Sequence, residues 1–261
     1  MTHNERSTAT DRLYFEYEST APIGHFRPPS NIYLSRLRTD YALDSIQPDK
    51  NGNFEHVLAI LDWVSRCWDH DGVNTPSQND PISILQEAAT GKQFRCVEYA
   101  IVLAGVLAAL GYPSRVLGLM TADVATRESG AGHVVTEVYL EQHQKWAMLD
   151  SQWNVAPLVA DKPANAVELA KALAESPDQA GLTSISTTDQ SHYFNWIKPY
   201  LYYFTARLGN IYGNAQNSPI IRLAPLNAVE PQVFQRSHPM QAALFTHNAT
   251  MFYPRPVACD D

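Results

Sequence analysis

The stretch from Cys96 to Leu110, CVEYAIVLAGVLAAL, constrains the fold more than any other part of the chain. Apart from Glu98 it is apolar around its whole circumference, at helical length. A helix without a polar face has to be covered on all sides, so other elements must enclose it. Gly111 is placed to end it in a left-handed cap, and Pro113 prevents continuation. The start is less ordinary. Gln93, Phe94 and Arg95 include no Ser, Thr, Asp or Asn to cap the first backbone N–H groups, which leaves those donors for another partner. A cysteine stands at that doorway. Free cysteine is among the most buried residue types and usually only packs, so the rest of the chain decides what Cys96 is.

Upstream, Phe54, Val57, Leu58, Leu61, Val64 and Trp68 recur at three- and four-residue steps, which predicts an amphipathic helix from Asn53. Cys67 lies beside that stripe and reads as packing. The segment WDHDGVNTPSQNDP (68–81) reads as a loop and ISILQEAAT (82–90) as a short helix. Downstream, SRVLGLM (114–120), GHVVTEVYL (132–140) and KWAMLDSQW (145–153) read as strands, with EQHQ (141–144) short enough to join the last two in an antiparallel hairpin. Residues 121–131 form a polar loop ahead of His133. A short strand is expected at 12–17. A helix at 165–175 has capping-box spacing between Asn165 and Glu168, and 176–190 reads as loop. Strand signals are weak near 220–223 and 249–253.

Composition narrows the function classes. A net charge of −8 over 261 residues argues against non-specific nucleic-acid binding, which needs a basic footprint. No run reaches the roughly eighteen apolar residues of a membrane span, and MTHNERSTATDR lacks the apolar core of a secretory signal. Three widely spaced cysteines make no disulfide framework and no CxxC pair for zinc. The expectation is a cytoplasmic protein with reduced thiols, without cofactor, membrane or nucleic-acid partner, and of undetermined oligomeric state. Asp69, His70 and Asp71 imitate a metal cluster, but adjacent side chains diverge and no second clump has ligand spacing, so no metal is expected.

A thiol attacks as its thiolate, a form favoured by a helix N-terminus and by an imidazole that takes the proton. Cys96 has the first by position, and His133 is placed to supply the second. A carboxylate must then orient the imidazole, and Asp150 is the candidate. The hairpin sets the geometry. If Leu140 faces Lys145, Asp150 faces Val135, and His133 lies two residues along on the same face, a diagonal of roughly 7–8 Å. A one-residue slip would put His133 and Asp150 on opposite faces. The same parity places Trp146 and Met148 beside Asp150, where they can exclude water.

Three pieces in one order, RCVEYA with LGYPSRVLG after it, HVVTEVYL and KWAMLD, resemble the transglutaminase-like superfamily of papain-type thiol enzymes. Glu137, four residues after the histidine, and Trp146, four before the aspartate, recur in that pattern. The resemblance covers about residues 54–154. It implies catalytic roles for Cys96, His133 and Asp150, and an α+β fold in which a buried nucleophile helix packs on an antiparallel sheet. Residues 1–53 then form an N-terminal segment, 54–154 the catalytic core and 155–261 a C-terminal elaboration. The chain lacks the calcium apparatus and flanking immunoglobulin-like domains of animal transglutaminases and the zinc cysteines of peptide N-glycanases, and looks more like stand-alone bacterial members.

The chemistry so implied is acyl transfer through a Cys96 thioester. Hydrolysis of an amide or peptide bond in a peptide, protein or small-molecule substrate is favoured, because nothing marks an amine-acceptor site. A transamidase or acyltransferase, and a non-catalytic binding module, are the alternatives. The oxyanion needs two donors. The backbone N–H of Cys96 is one; Gln93, Trp68, Gln152 and Trp63 are candidates for the other. Glu98 is expected to pair with Arg95 or Arg115. Eight aromatic residues (Tyr193, Phe194, Trp196, Tyr200, Tyr202, Tyr203, Phe204 and Tyr212) fit either packing of the C-terminal segment or a wall over the thiol.

Overall fold

A computed structural model of the chain describes residues 13–18, 31–48, 52–183, 188–208 and 218–256. Tyr212, Cys259 and Arg12 lie outside the described residues. Four helices come first: α1 (Ile32–Asp40), α2 (Asn53–Ser65), α3 (Pro81–Ala88) and α4 (Cys96–Ala109). α4 is the all-apolar segment, and α1, α2 and α3 pack around it. Its end is the expected one: Gly111 has φ +88°, and the N–H of Tyr112 returns to the carbonyl of Leu107 at 2.9 Å. The sequence gives no warning of α1. It buries only Leu34 and Leu37 among exposed arginines, and the Asn31 side chain caps it by accepting from the N–H of Leu34. Among the described residues no helix is long and apolar enough to cross a membrane.

β1 (Ser114–Met120), β2 (Gly132–Leu140) and β3 (Lys145–Leu149) form the antiparallel centre of the molecule. The β2–β3 register runs from Leu140 opposite Lys145 to Thr136 opposite Leu149, the pairing on which the hairpin argument depends. β3 is shorter than its pattern suggests. The backbone turns after Asp150, with Asn154 at φ +53°, and Asp150 and Val155 exchange N–H···O bonds of 2.9 and 3.1 Å. The chain continues through β4 (Ala156–Val159), β5 (Lys162–Pro163), α5 (Ala166–Glu175), β6 (Ala180–Thr183), α6 (Gln190–Ile197), β7 (Tyr203–Arg207), β8 (Ile220–Leu223), β9 (Val233–Phe234), β10 (His238–Pro239), β11 (Leu244–Thr246) and α7 (Ala249–Phe252).

The main sheet has the order β11-β8-β7-β1-β2-β3, antiparallel except for the parallel β11–β8 pair. The fold is therefore α+β. Three local expectations are corrected. The stretch 176–190 contains β6, which gains its partner only by pairing with β4; residues 184–187 of it lie outside the described set. The strand signal at 249–253 gives way to α7, because the Asn248 side chain caps the N–H of Met251 at 3.0 Å. At the N-terminus only an isolated bridge, Glu16 with Asn248, forms where a strand was expected.

Strand alternation gives the sheet two buried faces. Val138, Leu140, Ala147 and Leu149 join the core around α4, whereas Leu117, Leu119, Val135 and Met148 join a second core with α5, α6, Phe204 and Ile221. Arg115 and Glu137 pair across β1–β2 on that second side and are almost fully buried. The guanidinium donates to Glu137 Oε2 through Nη2 (2.7 Å) and Nε (2.9 Å) and to the carbonyl of Phe252 through Nη1 (2.9 Å). Tyr253 donates its hydroxyl to Glu137 Oε1 at 2.9 Å, and Arg115 lies 4.5 Å from the ring centre of Trp146. Trp146 in turn donates its indole N–H to the carbonyl of Pro254 at 2.8 Å. This clasp ties residues 252–254 to the sheet.

Removing one partner would strand a charge in the interior. Glu137→Ala is expected to lower unfolding stability by about 3–5 kcal/mol. The double variant Arg115→Met/Glu137→Leu recovers most of that loss, and urea denaturation of both variants checks the difference.

Candidate active site

The uncapped start of α4 has a local solution. Glu98, in the first turn and fully buried, accepts the backbone N–H of Arg95 at Oε2 (3.1 Å) and the Arg95 guanidinium at Oε1 (2.7 Å). Of the two arginines considered, Arg95 is its partner, and Arg115 belongs to Glu137. Cys96 is the first residue of the helix and is half-buried.

His133 opens β2 and is 2% exposed. Its Nε2 lies 2.8 Å from Asp150 Oδ2. Cys96 lies near enough to this ring to contribute to its electrostatics. The reversal after β3 anchors Asp150, because Oδ1 accepts the backbone N–H groups of Gln152 (3.1 Å) and Trp153 (3.4 Å). Burial alone would lower the His133 pKa, but the charge and hydrogen bond of Asp150, with those of Cys96, outweigh it and raise it to about 9.

A third group joins the pair. Tyr193, fully buried on α6, donates its hydroxyl to Asp150 Oδ2 at 3.1 Å. From the same helix Trp196 sets its ring edge-on to His133 at 4.7 Å, and Tyr200 follows at 6.1 Å. Trp153 closes the group 5.0 Å from Trp196. The aromatic residues therefore divide: Tyr203 and Phe204 are buried in β7, while Tyr193, Trp196 and Tyr200 wall the His133–Asp150 pair. No spacing rule links Tyr193 to Asp150 across 43 residues; only the aromatic density of the segment hinted at it.

The proposed oxyanion donors are scattered. Gln93 is exposed, with its amide 3.5 Å from Asp69 Oδ2. Trp68 is buried against Tyr99 (4.5 Å) and Phe94 (5.7 Å), and its indole N–H is enclosed without an acceptor among the described residues. Trp63 packs edge-on to Tyr41 at 6.4 Å. Gln152 gives its backbone N–H to Asp150, and its side chain is half-buried. Asp71 caps the N–H groups of Val73 and Asn74 rather than joining His70. Cys67 behaves as packing: its thiol donates to the carbonyl of Trp63 at 3.4 Å, and burial pushes its pKa up to about 12.

Residues 40–151 match the core model of the transglutaminase-like superfamily. That match takes in α2, α3, α4 and β1 to β3. Among solved structures it is similar to a candidate cysteine protease from Cytophaga hutchinsonii, at 20% identity over 49% of this chain and 40% of that one, with a TM-score of 0.38. It is similar to calcium-bound LapG from Legionella pneumophila at 17% identity over 42% and 59%, TM-score 0.31. The periplasmic domain of TgpA from Pseudomonas aeruginosa, bound to ethylmercury, gives 18% over 48% and 46%, TM-score 0.34. The chain spans less than two thirds of each. No curated protein matches the chain.

Two measurements follow from the buried pair. Brief iodoacetamide exposure at pH 6 should label Cys96 at least about tenfold ahead of Cys67, and His133→Ala should remove the lead; peptide mass spectrometry reads both. Because the folded-state pKa of His133 is raised, its pairing contributes stability that is complete below about pH 6.5 and is lost as the pH rises through about 9. Urea denaturation between pH 6 and 10 should show that decline in the wild type and its absence in His133→Gln.

Proposed function

We propose that the protein is a thiol hydrolase that cleaves an amide or peptide bond through a Cys96 thioester. The observation that carries this reading is the 2.8 Å pairing of buried His133 and Asp150, with Cys96 at the first position of α4. The thiolate adds to the carbonyl carbon, and the tetrahedral adduct collapses as the His133 imidazolium gives its proton to the departing amine. Asp150 holds the imidazole toward the sulfur. Water, its proton taken by the now neutral ring, then adds to the thioester and releases the acid and the free thiol. The Trp196 and Tyr200 rings against His133, with Cys96 half-buried, suit an extended peptide or another narrow amide. A free thiol nucleophile fits the reducing, cytoplasmic setting expected from the sequence.

The test uses p-nitrophenyl acetate, an activated ester that asks only for acyl transfer. A burst of nitrophenolate with acetyl on Cys96, found by peptide mass spectrometry, is expected and should vanish in Cys96→Ala. Asp150→Asn should slow acylation by about 10²–10⁴-fold, since it disturbs the tautomer of His133. Hydrolysis requires the acetyl group to leave in buffer alone. An acetyl group that leaves only when a primary amine is added would replace the hydrolase with an acyltransferase.

A further inference from the structure

The oxyanion formed in such a reaction needs a second donor beside the Cys96 N–H, which as the first of its helix has no carbonyl four residues back to bond. A usable donor must be open to an incoming carbonyl and not already committed. Gln93 faces Asp69, and the indole N–H of Trp68 is sealed from solvent. The segment that runs alongside the approach to α4 supplies another group. His70 pairs in parallel with Phe94, two residues ahead of Cys96, and the N–H of Asp71 bonds the carbonyl of Phe94 at 2.8 Å. Asn74 adds a second tie through its side-chain amide to the carbonyl of Gln93 at 3.0 Å. The backbone of His70 is thus held against the segment that delivers the sulfur. Its side chain is exposed and has no hydrogen-bond partner among the described residues. The bridge to Phe94 sets it beside the approach to Cys96, and the charges of His133 and Asp150 reach its ring.

We propose that the imidazole N–H of His70 is the second oxyanion donor, acting with the backbone N–H of Cys96. This rests on the acyl-transfer reading above. As the sulfur–carbon bond forms, the carbonyl π pair moves onto oxygen and is held by the two N–H groups. On collapse the pair returns and the bond to the leaving group breaks, while His70 keeps its proton throughout. The local electrostatics suit a neutral donor. Burial first, and then the charge of His133, hold the His70 pKa below its ordinary value, against the opposing pull of Asp71 and Asp150.

Two reactions of one sulfur separate this role from a structural one. Acetylation by p-nitrophenyl acetate passes through an oxyanion; alkylation by iodoacetamide, at a tetrahedral carbon, does not. In His70→Ala, acetylation of Cys96 should slow by about 100-fold while alkylation stays within about twofold of wild type. His70→Gln, which keeps a side-chain N–H donor, should stay within about tenfold of wild type in acetylation. Equal loss in both reactions would assign His70 to support of the thiolate and overturn the proposal, as would unchanged acetylation in His70→Ala. A wild-type Cys96 that is alkylated but never acetylated would defeat the acyl-transfer reading itself, and this assignment with it.

Discussion

A helix with no polar face needs cover on every side, yet α4 carries its one reactive side chain at its first residue, where cover must stop. The fold meets both demands by enclosing the barrel of the helix and leaving its mouth open. α1, α2 and α3 pack on the helix, and β1 and β2 close the remaining side, with Thr136 bonding the carbonyl of Ala100 at 3.0 Å. At the mouth, Glu98 takes up the polar work that a capping side chain would do elsewhere.

The sheet then carries the chemistry round from its other side. Along β2, Thr136 and Val138 look toward α4, whereas His133, Val135 and Glu137 look the opposite way. Two buried charge systems therefore share one strand face four residues apart. His133 pairs with Asp150 near the open end, and Glu137 pairs with Arg115 deeper in. Both are costly to bury without full partnering. Each is given that partnering by the C-terminal half of the chain: Tyr193 reaches Asp150, and Tyr253 reaches Glu137.

How much of this the sequence disclosed follows from the range of the forces involved. Period-two alternation and a four-residue turn fixed the hairpin register, and with it the shared face of His133 and Asp150, because both are local. The apolar run and its glycine stop disclosed α4 for the same reason. Tyr193 and Trp196 were legible only as members of an aromatic cluster that fits either packing or a wall over the thiol, since the contacts of Tyr193 with Asp150 and of Trp196 with His133 arise from packing between distant segments. α7 was misread because a cap from Asn248 outweighs the strand preference of Thr250, Phe252 and Tyr253. β6 was missed because a short edge needs its partner before it has any pattern to show.

The clasp around Arg115 sets an order of events during synthesis. Its aromatic and carbonyl ligands come from residues 252–254, more than a hundred positions after Glu137. A nascent chain emerging from the ribosome can lay down α4 and the β1–β2 ladder early, but the guanidinium then sits against half of its eventual surroundings. The strand bearing the imidazole stays provisional until that late segment is translated, so a truncated product would hold its sulfur in an unfinished frame.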